Sequence, residues 1–134
     1  MAHAAAMSPA AVHDVPLAAQ VDELVWALGG KNVALIGGVT RTSAVAEWRR
    51  GIPPRGDREH RLRLAWQITA ILRQRYDPPT IRAWFWGAKD QFADEAPIAM
   101  LSAADAVELL KLQAPLLRAA RAAIATESPV PVPV

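Results

Sequence analysis

The sequence contains no cysteine. Disulfide scaffolds, thiolate metal sites and cysteine nucleophiles are therefore excluded. No uncharged stretch reaches the ~18 apolar residues of a membrane span, so no membrane partner is expected. No Lys or Arg precedes Lys31, so the alanine-rich start lacks the charged leader of a secretory signal, and a cytoplasmic protein is the expectation. Catalytic groups are sparse. His3, His13 and His60 are the only histidines; two fall in the alanine-rich start, and none has a carboxylate or another His at helical spacing that makes a trustworthy metal-ligand pair. Gly29-Gly30 and Gly37-Gly38 lack the preceding strand and the Gly-Lys-Ser/Thr run of a phosphate-cradling loop. Asp94 and Glu95 are adjacent and cannot face each other across a site. The expectation is a non-enzyme without metal or cofactor.

What is present is an apolar chain of one domain's length. It has 134 residues, 52% of them hydrophobic and 21% charged. That balance allows burial to offset chain entropy. The formal net charge of +2 conceals a division. Residues 1–30 carry −3, residues 31–82 carry +7 and residues 83–134 carry −2. Ten of the eleven cations of the central segment are arginines, which points to a polyanion such as nucleic acid. The alternative is a solvated arginine-rich face with internal ion pairs.

Hydrophobic periodicity predicts helices and no convincing strand, hence an all-α chain. Residues 1–15 read as a mobile arm. Val21, Leu24, Val25 and Leu28 recur at helical spacing from about Leu17, and Gly29-Gly30 stops that helix. Residues 32–36 form a second short helix, closed by Gly37-Gly38. A third runs to Gly51 with Thr40 as its cap. Its Val45 and Trp48 face inward, while Ser43, Ala46, Glu47 and Arg50 face out. Asp57 caps a long helix to about Tyr76, striped by Leu64, Ile68, Ile71 and Leu72. Arg58, Arg61 and Arg63 crowd the start of that helix, against the macrodipole, so another interaction must hold them there. Asp77-Pro78 restarts a helix, and Ser102 with Asp105 forms a capping box for the last one, which Pro115 kinks or splits. Residues 126–134, rich in Pro and Val, are an extended tail.

Residues 31–55 combine a short helix, a glycine turn and a second helix opening Thr-Arg-Thr-Ser, the helix-turn-helix layout. The candidate DNA-binding residues are Thr40, Arg41, Thr42 and Ser43 at base edges, with Arg49, Arg50, Arg55, Arg58 and Arg61 on phosphates. One short helix reads few base pairs, so a homodimer is expected. The alternative is a three-helix packing unit whose hydroxyls only cap. Trp48, Trp66 and Trp84 lie on apolar stripes and read as core. Trp86, beside Gly87, reads as an exposed anchor.

The run GGVTRTSAVAEWRRG resembles the helix-turn-helix of Xre-type regulators, ending in Trp48-Arg49-Arg50-Gly51. Residues 61–101 resemble the toxin-binding domain of Xre/MbcA/ParS antitoxins. Trp84 and Pro97 stand thirteen apart, Asp90 and Phe92 fall between them, and Met100-Leu101 closes the segment. The resemblance spans about residues 20–125. It implies a helix-turn-helix region over 16–76, a helical toxin-binding region over 77–125, and an antitoxin that occludes an NAD-consuming RES-domain toxin. It also implies repression of its own operator DNA. Trp86, Lys111, Leu117, Arg118, Arg121, Val130 and Val132 are the toxin-contacting residues expected on that basis. The competing expectation is a stand-alone Xre-type repressor with no toxin partner.

Overall fold

The computed structural model describes Val12 and residues 14–125. Among these residues the chain forms seven α-helices, one 3-10 turn and no β-strand, as the periodicity predicts. Val130 and Val132 lie outside the described residues.

Helix α1 (Leu17–Leu28) begins after Pro16, whose carbonyl accepts the Ala19 and Gln20 N–H groups at 3.0 and 3.1 Å. It buries Gln20, Val21, Leu24, Ala27 and Leu28. It ends at Gly29, but the second glycine of the pair is already helical, because α2 spans Gly30–Gly37. Gly38 then turns left-handed at φ 82, and the Val39 N–H reaches back to the Ala34 carbonyl at 3.0 Å. That six-residue closure satisfies α2's last carbonyls and redirects the chain into α3, Thr42–Arg49.

Helix α4 (Arg58–Leu72) is the centre of the molecule and buries nine residues from Leu62 to Leu72. It packs against α1, α2 and the last helix, so little of its surface is left for solvent. A turn carries it to Tyr76, whose hydroxyl donates to the Ala123 carbonyl at 2.7 Å. Helix α5 (Pro78–Trp86) starts with prolines in its first turn and buries Ile81 and Phe85. A loop closed by a Lys89–Glu95 bridge holds the 3-10 turn Asp90–Phe92. Helices α6 (Pro97–Ala103) and α7 (Ala106–Ala125) complete the chain.

Several local expectations are corrected. Thr40 does not cap α3. Arg41 occupies that position, and no side chain caps it. Asp57 stands at the start of α4 without capping it. Its Oδ2 instead accepts the Ala106 N–H of α7 at 3.1 Å. Ser102 belongs to α6 and donates to the Ala99 carbonyl, so it forms no capping box; Asp105 caps α7 without it, through the Glu108 N–H at 2.8 Å. Pro115 does not split α7, which stays one 20-residue helix. The end of the presumed arm is docked: Val12 is 3% exposed in the core, and its carbonyl accepts Gln20 and Arg63 side chains. One continuous apolar cluster joins Val45 and Trp48 of α3 to Leu109, Leu116 and Leu117 of α7.

Candidate nucleic-acid interface

Two short helices joined by a tight left-handed turn hold Thr40, Arg41, Thr42 and Ser43 outward. Val45 and Trp48, one helical turn apart, anchor α3 inward at 3% and 5% exposure. Trp48 packs so closely on α2 that a Cβ at Gly37 would lie 2.5 Å from the Trp48 ring. That contact sets how near α3 sits to α2. The four residues ahead of Trp48's face are then exposed by geometry, not by composition.

The exposed end of α3 shares a groove with α2, lined by Lys31, Leu35, Val39, Thr40, Arg41 and Ser43. No acidic residue lines it. Lys31 and Leu35 were absent from the expected site because the spacing of residues 31–41 does not show that the Gly38 turn lays α2 along the groove beside Arg41. The side chains of Arg41, Arg50 and Arg55 are exposed and make no ion pair or hydrogen bond among the described residues. Such groups face an incoming phosphate without first giving up a protein partner.

The other arginines differ. Arg49 pairs with Asp22 of α1, its Nη2 2.6 Å from Oδ1, and thereby ties α3 to α1. It is half exposed, so the pair contributes little stability. Arg58 donates to the Gly38 carbonyl at 3.4 Å. Arg61 is corrected outright, because it is not a phosphate ligand. Its Nε donates to the Ile36 carbonyl at 2.9 Å, its Nη2 to Gly37 at 3.0 Å and its Nη1 to Ala104 at 2.8 Å. Burial holds its pKa below the ordinary arginine value, the Arg58 charge lowers it further, and Asp57 opposes both. Arg63 pairs with Glu59 and with the Val12 and Val15 carbonyls. These carbonyls and the Glu59 carboxylate are the interactions that hold three cations at the start of α4 against its dipole.

The residues expected to contact a protein partner do not form one patch. Leu117 is 7% exposed and belongs to the core, so it is withdrawn as a contact residue. Leu116 and Leu117 are both buried because α7 is clamped along α4. Lys111, Arg118 and Arg121 are exposed on α7. Trp86 is 53% exposed, as expected, but its Nε1 donates to Asn32 Oδ1 of α2 at 3.2 Å. It stands beside the first helix of the helix-turn-helix. Val107 and Leu110, not singled out from the sequence, are 63% and 76% exposed on α7.

Trp66 is core, as its stripe implies, while Trp84 is half-buried with its face under Lys89 at 4.7 Å. Lys89 also donates to the Trp84 and Gly87 carbonyls, and burial lowers its pKa. No group of three or more His, Asp or Glu among the described residues is placed to hold a metal ion. No helix among them is long and apolar enough to cross a membrane. No protein-family model, curated protein or solved structure matches the chain.

Proposed function

We propose that this chain is an antitoxin-type regulator. It binds operator DNA through α2, the Gly38 turn and α3, and occludes an NAD-consuming RES-domain toxin through its C-terminal half. The observation that carries the reading is the outward-facing Arg41-Thr42-Ser43 end of α3, held by a buried Val45 and Trp48 beside a groove without acids. An arginine in that position matches the bidentate acceptor pair of guanine, and the unpaired Arg50 and Arg55 suit flanking phosphates. Two copies place two such helices one turn of duplex apart, which gives the DNA-bound form as a homodimer.

The toxin half of the reading rests on the pattern over residues 61–101 and on the exposed, cationic side of α7 at Lys111, Arg118 and Arg121. A second reading, a stand-alone Xre-type repressor, is favoured by one observation. Of the residues that carry the toxin-domain resemblance, only Asp90 is exposed; Trp84, Phe92, Pro97, Met100 and Leu101 are buried or half-buried, so packing within the chain accounts for most of the pattern.

Co-purification separates the two. The tagged full chain is expressed with the product of the neighbouring reading frame, and NAD consumption is followed. Co-elution with loss of NAD consumption is expected. A partner that stays fully active while bound defeats the antitoxin mechanism. Absence of any such partner, with DNA binding retained, favours the repressor.

A further inference from the structure

The first turn of α4 holds two distant parts of the chain at once. Arg61 donates to Ile36 and Gly37 at the end of α2, and by its third arm to Ala104 at the end of α6. One turn earlier, Asp57 accepts the Ala106 N–H at the start of α7. The elbow between α6 and α7 and the turn before the DNA-facing helix are thus fastened to two side chains four residues apart. Gly38 fits this arrangement closely, since a Cβ there would lie 2.7 Å from Arg61 Nη2.

We infer that Arg61 and Asp57 are positioning residues for DNA recognition, and that they make the α6–α7 elbow a working part of the DNA-reading unit. This inference rests on the DNA reading above. Arg61 never reaches the duplex. A guanidinium spreads its donors over three nitrogens in one plane and so reaches three separated carbonyls, whereas the single nitrogen of a lysine ammonium does not span them. The carbonyl of Gly37 lies immediately before the left-handed turn, so its direction sets the path into Arg41. Loosening either arm of the clamp lets α3 rotate against α2, and a base-edge contact is lost where a phosphate contact survives. Seating of α7 consequently feeds into DNA affinity although α7 carries none of the DNA-facing residues.

The test compares Arg61→Lys and Asp57→Asn with the unaltered full chain. One probe is the duplex upstream of the chain's own reading frame, and the other is random-sequence DNA, each titrated across a salt series. Arg61→Lys is expected to weaken the upstream duplex about tenfold, as loss of buried carbonyl bonds allows, with random DNA and the salt slope unchanged. Asp57→Asn is expected to weaken the same duplex by about threefold with the slope unchanged, because a neutral amide oxygen replaces the charged acceptor of the Ala106 N–H. Hydrogen exchange gives a readout without DNA. In Asp57→Asn, the amides of Gly38 and Val39 exchange faster, while those of α1 hold their rates. A phosphate role would instead leave Arg61→Lys near native affinity, and that result overturns the inference. Unchanged exchange at Gly38 and Val39 in Asp57→Asn overturns it too. If the unaltered chain binds neither DNA, the DNA reading fails, and the exchange result alone decides whether elbow and turn are coupled.

Discussion

Arg61 lies under the Gly38 turn with its guanidinium on three carbonyls, whereas Arg41 stands in solvent with none. The two differ in surroundings, not in chemistry, and their expected phenotypes separate accordingly. Arg41→Ala and Arg50→Ala should each lower DNA affinity, and where the lost contact is a phosphate the salt slope should fall by about 0.9. Gel-shift titrations at several salt concentrations check this, and melting temperature should stay near native because neither side chain is packed. Gly38→Ala should behave in the opposite way. Its left-handed φ and the approach of Arg61 make a Cβ unwelcome, so a loss of about 1–2 kcal/mol in stability is expected from the backbone alone. Thermal unfolding measures it, and a melting temperature equal to native would contradict the geometry.

At the scale of elements, the helix ends account for much of the local design. Asp105 caps α7 through the Glu108 N–H, and Asp57 takes the preceding Ala106 N–H from across the molecule. Two of the four free donors of α7 are thereby satisfied. Asp105→Ala should cost about 1 kcal/mol, in the usual range for a lost cap, measured by denaturant unfolding. After α5, Lys89 closes that helix by donating to the Trp84 and Gly87 carbonyls while resting on the Trp84 ring. Lys89→Met keeps the stem and removes these donors. It should destabilise the protein by roughly 1–2 kcal/mol, because both carbonyls lose a charged partner.

Across the whole molecule, one apolar cluster runs from α2 and α3 to α7, so stability and partner contact can be told apart on a single helix. Leu117→Ala should cost about 2–5 kcal/mol, the range for truncating a buried leucine. Leu110→Ala, 76% exposed, should leave the unfolding midpoint near native, and under the antitoxin reading it should reduce partner retention in co-purification. A Leu117→Ala variant of native stability would remove α7 from the core. The charge division also takes on shape at this scale. Of the central arginines, Arg49, Arg63 and Arg73 pair with Asp22, Glu59 and Glu23, two of which come from the acidic N-terminal part. The −3 of residues 1–30 therefore neutralises part of the +7 beside it, and among the exposed central arginines Arg41, Arg50 and Arg55 lie in or flank α3, while Arg75 reaches the Ile124 carbonyl at the end of α7.

Local patterning alone determined the helical class, the order of the helices, their glycine stops, and the inward pair Val45 and Trp48 that turns Arg41, Thr42 and Ser43 outward. These follow from periodicity and backbone preference within a dozen residues, which are written in the local order of the chain whatever segment it later packs against. Only the tertiary structure decided which arginines are free, that Leu117 is core while Val107 and Leu110 are not, that Trp86 stands by α2, and that Asp57 serves a helix 49 residues away. Arg41 and Arg61 look alike in one dimension. A side chain's partners are set by which helices pack together, and that depends on contacts between segments far apart in the chain.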